Sequence, residues 1–564
     1  MLKIHSLAAQ GDCRGVRGEL ESGVPVDVRD DQDFTPLARA ARSVDAGEEM
    51  LRLLIEAGAD VNAPVKDAKT CALGLAACSG SLDKTQLLLD AGADIGFESP
   101  KGYCVVLNVV YALLDDEILV PMIVLLVRHG AEMNLESEYG ESPLSVASNF
   151  GRFDAVRCLL DAGTDPSPLE WTELHKAVAL GTCDEVDDWL GKGERLDARD
   201  RWERTPWLLA NLIGDTEKAK LIHAAGANLD DRGRGGDSAL MYCAARGHTG
   251  TLQWLIDIGM DLEAVDDSRY TALMKAAEAG MADCVQLLLQ AGADPGRKNE
   301  FDDSAIMLAS NEPTIRRLVN AGEDIGEIST EMRRMLTGLQ GGESLNVSEA
   351  EYLAGRRPRF GRSNPEVMDV PFWKEMVRTG IAAYTAKDQF GDADVRSEAA
   401  WCYSRFGTSF TELPDDRFVQ IGGEHEDFYD PDFYIYNDVL VHERPGEFQI
   451  LGYPRDVFPP TDFHTATYFD GSLYIIGGLG YHGTRMFGCT PIYRLNCSNW
   501  QIELVESEGD NPGWIYKHRA RLVEPGVIVV SGGLICAEID GEEDHVENEQ
   551  SFRLELSTMI WSRM

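Results

Sequence analysis

The densest group of side chains able to do chemistry is GEHEDFYDPDFYIYNDV at Gly423–Val439, where His425, Asp427, Asp430 and Asp432 stand close together. Carboxylate oxygens gathered in a loop suit Ca²⁺ or Mg²⁺, and an imidazole widens the choice of ion. The spacing does not fit an EF-hand loop, which needs glycine at its sixth position and a closing glutamate at its twelfth. Asp462 and His464 would join this set if neighbouring strands converge. The competing reading is an acidic loop between strands, with His464 a structural histidine. A divalent cation is therefore the one cofactor these residues allow, and nothing in the sequence requires one.

Other motifs carry less. Gly478–Gly483 spells GxGxxG after an apolar run, but a dinucleotide fingerprint needs a helix next. Thr484–Pro491 shows no helical period and contains Gly488 and Pro491. Arg356, Arg357, Arg359 and Arg362 form the one basic cluster, either a linker folded against acidic residues or a site for an anion. Gly541–Glu549, GEEDHVENE, reads as a second acidic loop between strands. There is no Ser-His-Asp order, HExxH pair, P-loop or nucleophile elbow. The sequence leans away from catalysis and names no reaction.

These residues sit in a chain of 564, long enough for two or more folded units. With 44% hydrophobic and 26% charged residues it is globular rather than disordered. Its net charge of −43 argues against naked nucleic acid, which needs clustered Lys and Arg. The same field would steer in a basic protein, or simply keep a large protein soluble. The opening MLKIHSLAAQGDCRGV lacks the apolar run of a signal peptide. Val105–Val127 comes closest to a membrane span but is interrupted by Asn108, Asp115, Asp116, Glu117 and Pro121. The 12 cysteines have no CxxC pair and read as reduced core thiols of a cytoplasmic protein.

The positioning elements of the first 326 residues are copies of one helical pattern, about 33 residues long. The clearest is YTALMKAAEAGMADCVQLLLQAGAD at Tyr270–Asp294. In it Thr271 caps a first helix, Leu273, Ala276 and Ala277 form its buried face, and Gly280 ends it. Val285 and Leu287–Leu289 supply a second helix. Related starts read FTPLARAA at Phe34–Ala41, RTPWLLANLIGD at Arg204–Asp215 and DSALMYCAARGHTG at Asp237–Gly250. The period and the Thr-Pro-Leu-like start resemble the ankyrin repeat, and about ten copies are expected. Residues Ser43–Glu48 are an insertion, the short Pro166–Glu170 stretch can bend the stack, and Asp303–Gly322 is degenerate.

The resemblance implies a binding solenoid, in which residues just before each first helix project from hairpin tips. Here those positions hold Phe34, Tyr139, Glu141, Trp202, Arg204, Asp237, Tyr270, Phe301 and Asp303. Large exposed aromatics are enriched in binding hot spots, so these are the candidate partner-binding residues.

From Trp401 the period changes to two. Strand-like runs at Arg417–Ile421, Leu473–Ile476 and Val527–Val530 precede Gly422-Gly423, Gly477-Gly478 and Gly532-Gly533, pairs spaced 55 residues apart. Each is followed by a tyrosine- or phenylalanine-bearing strand. This pattern resembles kelch repeats, each a four-stranded blade of a β-propeller. Three blades are too few to close, so either Pro371–Ala400 covers an edge, or two chains pair, or the helical stack docks there, with the first plus docking favoured.

The expected fold is thus α+β and multidomain: a solenoid at 1–326, a capping helix, Gly/Pro/Arg linker and helical segment at 327–400, and three antiparallel blades at 401–564. The combination resembles bacterial ankyrin-repeat proteins with a kelch-like tail. It implies a protein-interaction scaffold, with an acidic immunity protein that neutralises a toxin as its most specific form. The alternative is a metal- or sugar-binding propeller, or an enzyme of unknown reaction.

Overall fold

A computed structural model describes residues 3–65, 69–113, 115–339, 341–342, 344–392, 399–427, 430–539 and 541–564; the side chains of 426–432 lie outside that description. The chain divides into two compact units, residues 1–276 with 290–293 and residues 277–289 with 294–564.

Ten helix pairs run from Lys3–Ala9 to Glu312–Asn320 among the described residues. Their first helices start where a hydroxyl can accept from an unpaired backbone N–H. Thr35, Ser142, Thr205 and Ser238 each accept from the third residue of the helix they precede. Cys71 and Cys104 stand in that place in two copies, and their sulfurs accept from Gly74 and Leu107 at 3.5 Å. The alanines behind each cap are fully buried, as in Ala40, Ala41, Ala76 and Ala77. No pair buries this face alone; one continuous core runs from Ile4 to Leu169. The carbonyl ends of first helices are met by the next pair: Lys84 and Lys218, both buried, donate to Ala40 and Val178 at 3.3 and 3.0 Å.

At Ser167–Leu169 the pattern breaks into a single 3₁₀ turn, closed by Glu170 at φ 54°. The next helix pair is a second beginning. Its His175 bonds the carbonyl of Arg204 at 3.0 Å as His5 bonds that of Phe34 at 2.9 Å. The two sets are 170 residues apart in number. Asp30 and Asp200, Arg29 and Arg199, and Thr35 and Thr205 repeat at the same offset in the same roles.

Among the described residues the second unit contains three four-strand antiparallel meanders in chain order, with shorter strands beside them. The first is Ser409–Glu412, Phe418–Ile421, Val439–Arg444 and Glu447–Gly452; the second is Thr465–Phe469, Ser472–Ile476, Ile492–Asn496 and Ile502–Leu504; the third is Arg519–Glu524, Val527–Ser531, Ser551–Glu555 and Ile560–Arg563. Each is a four-strand meander, with register Ile421↔Val439, Ile476↔Ile492 and Ser531↔Ser551 at equivalent places. Alternate residues meet across the sheets. Val419 and Ile421 pack with Leu473 and Ile475, while Ile476 and Ile492 pack with Ile528 and Val530.

Both acidic stretches expected as loops contain hairpins, inserted between the second and third strands. Glu424–Asp427 pairs with Asp430–Ile435, and Leu534–Ile539 pairs with Glu542–Glu547. Among the described residues, 364–367 cover sheet edges. Asn364 makes paired hydrogen bonds with Ile502 at 2.7 and 2.9 Å, and Glu366–Val367 adds a strand beside Leu451 and Gly452. The helix Pro371–Thr379 packs on Leu440 and Ile450 of the first sheet, and Trp373 stacks on Trp401 with ring centroids 5.0 Å apart. Arg316, from the tenth helix pair, forms an ion pair with Glu412 of the outer strand.

Candidate functional site

The hairpin tips are built on one recurring device. An Asp, Asn or Ser side chain accepts from the backbone N–H groups two and four residues on. Asp200 holds Trp202 and Arg204 this way at 2.9 Å each, Ser137 holds Tyr139 and Glu141, Asp266 holds Ser268 and Tyr270, and Asn299 holds Phe301 and Asp303. The residue between is left-handed: Gly140 at φ 72°, Glu203 at 59°, Arg269 at 64° and Asp302 at 69°.

This geometry sorts the nine predicted tip residues into two classes. Positions two after the anchor turn outward: Tyr139 is 60% exposed, Phe301 64%, and Trp202 is half-buried. Positions four after it turn inward. Phe34 and Arg204 are 0% and 1% exposed, which corrects the expectation that they project. Phe34 lies under the guanidinium of Arg39, 4.1 Å from its ring centroid. Arg204 pairs with buried Asp200 at 2.6 Å. Glu141, Asp237, Tyr270 and Asp303 are half-buried. Glu141 accepts from Tyr103 and Tyr111 at 3.0 and 2.7 Å, contacts that help hold its carboxyl below the usual carboxylate range against the effect of burial.

Two of these residues meet in a groove of about 390 Å³, lined by Asn149, Trp202, Leu212, Arg234, Asp237, Met241, Tyr242, Ala245, Arg246 and Lys275. Every lining residue comes from a first helix or the turn before it. Trp202 Nε1 donates to the Ser145 carbonyl at 3.1 Å, and Arg234 lies 5.5 Å from its ring centroid. Burial raises the pKa of Asp237, and Lys275 lies 3.3 Å from it. Burial works against the charge of Lys275, but Asp266 at 2.8 Å and Asp237 raise its pKa overall. Burial lowers the pKa of Arg246, with Arg152 and Arg204 adding repulsion. Arg246 has no hydrogen bond or ion pair among the described residues. The groove is therefore cationic and aromatic within an acidic chain, a setting for a carboxylate beside an apolar side chain. Arg234, Tyr242, Arg246 and Lys275 were not singled out in the sequence; Tyr242 and Arg246, one helical turn apart, and Lys275 lie on first helices, and Arg234 lies in the turn before one.

A larger groove of about 860 Å³ lies on second helices, between Asp116–Arg128 and Phe153–Asp161, with Val120, Pro121, Val124 and Val127 along it. It holds no predicted site residue.

Of the predicted metal set in the second unit, His425 and His464 are the two whose side chains are described, and each is engaged by its own neighbour. His425 is buried, its Nδ1 3.2 Å from the Cys402 sulfur. His464 is buried with Nε2 2.9 Å from the Ser409 hydroxyl, and burial pushes its pKa down to about 3. The side chains of Asp427, Asp430 and Asp432 lie outside the described residues. Asp462 Oδ1 accepts from the Gly480 N–H at 2.6 Å, which employs a glycine of the GxGxxG match in holding a turn. That match leads into the 3₁₀ turn His482–Thr484, not a helix. Of the arginine cluster, Arg356 pairs with Asp392 and Arg359 with Glu366, as a linker folded on acidic residues would.

No helix among the described residues is long and apolar enough to cross a membrane. Residues 4–99 and 207–299 match the family model for ankyrin repeats (3 copies). The chain is 28% identical over 193 residues to the ankyrin repeat protein nuc-2 of Neurospora crassa, covering 32% of this chain and 18% of that one. It is 27% identical over 192 residues to the B-cell lymphoma 3 protein homolog of Mus musculus, covering 33% and 43%. It is 34% identical over 125 residues to the ankyrin repeat and KH domain-containing protein mask-1 of Caenorhabditis elegans, covering 21% and 5%. The chain thus spans less than half the length of each of these relatives. The N-terminal part of the chain is a helical ankyrin-repeat region, followed by antiparallel sheets.

Proposed function

We propose that this chain is a cytoplasmic protein-binding scaffold whose ankyrin region captures its partner through the Trp202–Lys275 groove and the outward tip residues. One observation carries the reading: the groove joins predicted tip residues to three cations, Arg234, Arg246 and Lys275, beside an indole. A partner side chain bearing a carboxylate would find both charge and an apolar wall there. Ankyrin-type relatives support a protein rather than a small molecule as the ligand. The 12 free thiols support a reducing compartment. The three meanders read as kelch-like blades, supported by their matched registers and the Gly-Gly pairs behind their second strands.

The test is capture from the source cell with the full chain and with Trp202→Ala and Arg246→Glu variants. Loss of one specific partner in both, with unfolding unchanged in Arg246→Glu, supports the groove. Retention in both removes it.

The net charge of −43 favours a second, more specific form: an inhibitor of a basic toxic protein, drawn in by the field of the whole chain. Its association rate would fall steeply as salt rises, and a flat rate removes this form.

A further inference from the structure

The inserted hairpin of the third sheet brings together residues that the sequence keeps apart. Cys536 stands directly opposite His545 across the pair Leu534–Ile539 and Glu542–Glu547. Glu543 is two residues before His545 and so shares its face. One ligand atom each from Cys536, Glu543 and His545 lie within 4.8 Å of one another. Cys536 is buried, Glu543 half-buried and His545 exposed at the rim.

Two neighbours complete the arrangement. The Tyr516 hydroxyl lies 3.0 Å from His545 Nδ1, which leaves Nε2 facing Glu543 at 3.6 Å. A partner on one ring nitrogen that aims the other inward is the usual support of a metal-bound imidazole. His482, from the 3₁₀ turn after the second Gly-Gly pair, places Nδ1 2.8 Å from the other Glu543 oxygen. Cys536, Glu543 and His545 thus converge on one point, and His482 reaches Glu543 from a second segment. Around a tetrahedral ion, ligand atoms at about 2.0–2.3 Å from the metal are about 3.2–3.8 Å apart. The Cys536, Glu543 and His545 atoms, within 4.8 Å of one another, would draw together onto an ion, with His482 swinging in from its contact with Glu543.

Arg485 bears on the same point. It forms an ion pair with Glu543 and lies 3.9 Å from the Cys536 sulfur. It is held independently by the carbonyls of Leu479 and Gly480 at 3.1 and 3.0 Å. Once a divalent ion displaces the thiol proton to solvent, this guanidinium stands behind the thiolate as an N–H donor.

We propose that Cys536, Glu543, His545 and His482 form a site for a zinc-class divalent ion, which ties the inserted hairpin to the 482–485 turn. Thiolate and imidazole together select Zn²⁺ and its substitute Co²⁺ over Ca²⁺ or Mg²⁺. Two imidazoles, one thiolate and one carboxylate make the bound ion neutral overall. The site shares no residue with the Glu424–Asp432 stretch or with the Trp202–Lys275 groove.

The test uses the full chain, stripped with chelator and titrated with Co²⁺. One equivalent should produce a near-ultraviolet thiolate-to-cobalt band with tetrahedral visible bands, both bleached by Zn²⁺. Cys536→Ser should abolish the near-ultraviolet band. His545→Gln, at the exposed rim, should weaken binding at least about tenfold while leaving the circular dichroism unchanged, and Tyr516→Phe should weaken it about 10–100-fold. Should Cys536→Ser fail to fold, His545→Gln and Tyr516→Phe carry the test. Absence of the band in the parent chain overturns the proposal and leaves an Arg485–Glu543 ion pair alone. A band of unchanged strength in His545→Gln and Tyr516→Phe overturns it too, since another of the thiols is then the ligand.

Discussion

Arg204 reaches back across the break in the repeats to Ser148, donating to its carbonyl and its hydroxyl, both at 2.8 Å. With the Asp200 pair this satisfies a buried guanidinium and joins the second series of repeats to the first. Truncating it leaves Asp200 as an uncompensated buried charge. Arg204→Met should cost about 3–5 kcal/mol in urea unfolding, and adding Asp200→Asn should recover a large part of that loss.

The two classes of tip residue should separate by experiment. Tyr139→Ala and Phe301→Ala remove outward rings and should shift stability by no more than about 0.5 kcal/mol. Phe34→Ala empties a core position and should cost about 3–5 kcal/mol. Partner capture should track the outward class together with Trp202. Equal losses of stability in both classes would show that the outward rings are core as well.

The sheets should be acid-sensitive. Burial holds His464 and His518 down to about 3 and His442 to about 4, from an ordinary 6.5. Below that ordinary value only the unfolded chain binds these protons. The stability from burying neutral rings is therefore complete above about pH 6.5 and lost as pH falls through the window toward the folded values. Each ring contributes up to about 1.4 kcal/mol per pH unit there. Denaturant unfolding at about pH 7 and about pH 5 should show a shallower pH slope for His464→Gln than for the parent.

The Gly-Gly pairs should resist substitution for a steric reason. Gly422 and Gly477 have φ of 57° and 68°, and a Cβ on either would lie 2.3 Å from the Thr461 or Ile515 carbonyl oxygen. Gly477→Ala should cost more than the roughly 1–2 kcal/mol of left-handed backbone alone, read as a lower melting temperature.

Much of this was legible in residue order because the signals are local. A Thr-Pro-Leu start, a run of alanines and a closing glycine mark a helix pair within about 33 residues, and two-residue alternation marks the strands. The tip residues were harder. Trp202 and Arg204 are two apart and alike in context, and only the Asp200 turn decides which faces out. Cys536 escaped for a different reason. Its partnership with His545 depends on hairpin register, and that with His482 on the meeting of two distant turns, neither of which has a fixed spacing. The edge cover at residues 364–367 was equally hard to see, since Asn364 bonds the Ile502 backbone through its side-chain amide and Glu366–Val367 pairs by backbone, neither of which leaves a compositional trace.

The second beginning at His175 has a bearing on how the solenoid comes apart. In a linear array each repeat is stabilised by its neighbours, and disruption spreads until coupling fails. A series that carries its own opening unit can nucleate without the one before it. The turn at Ser167–Leu169 then marks a second place for folding to start, while Arg204 on Ser148 and Trp202 on Ser145 moor the later series to the fifth repeat, so loss of that repeat would loosen the groove wall that holds Trp202.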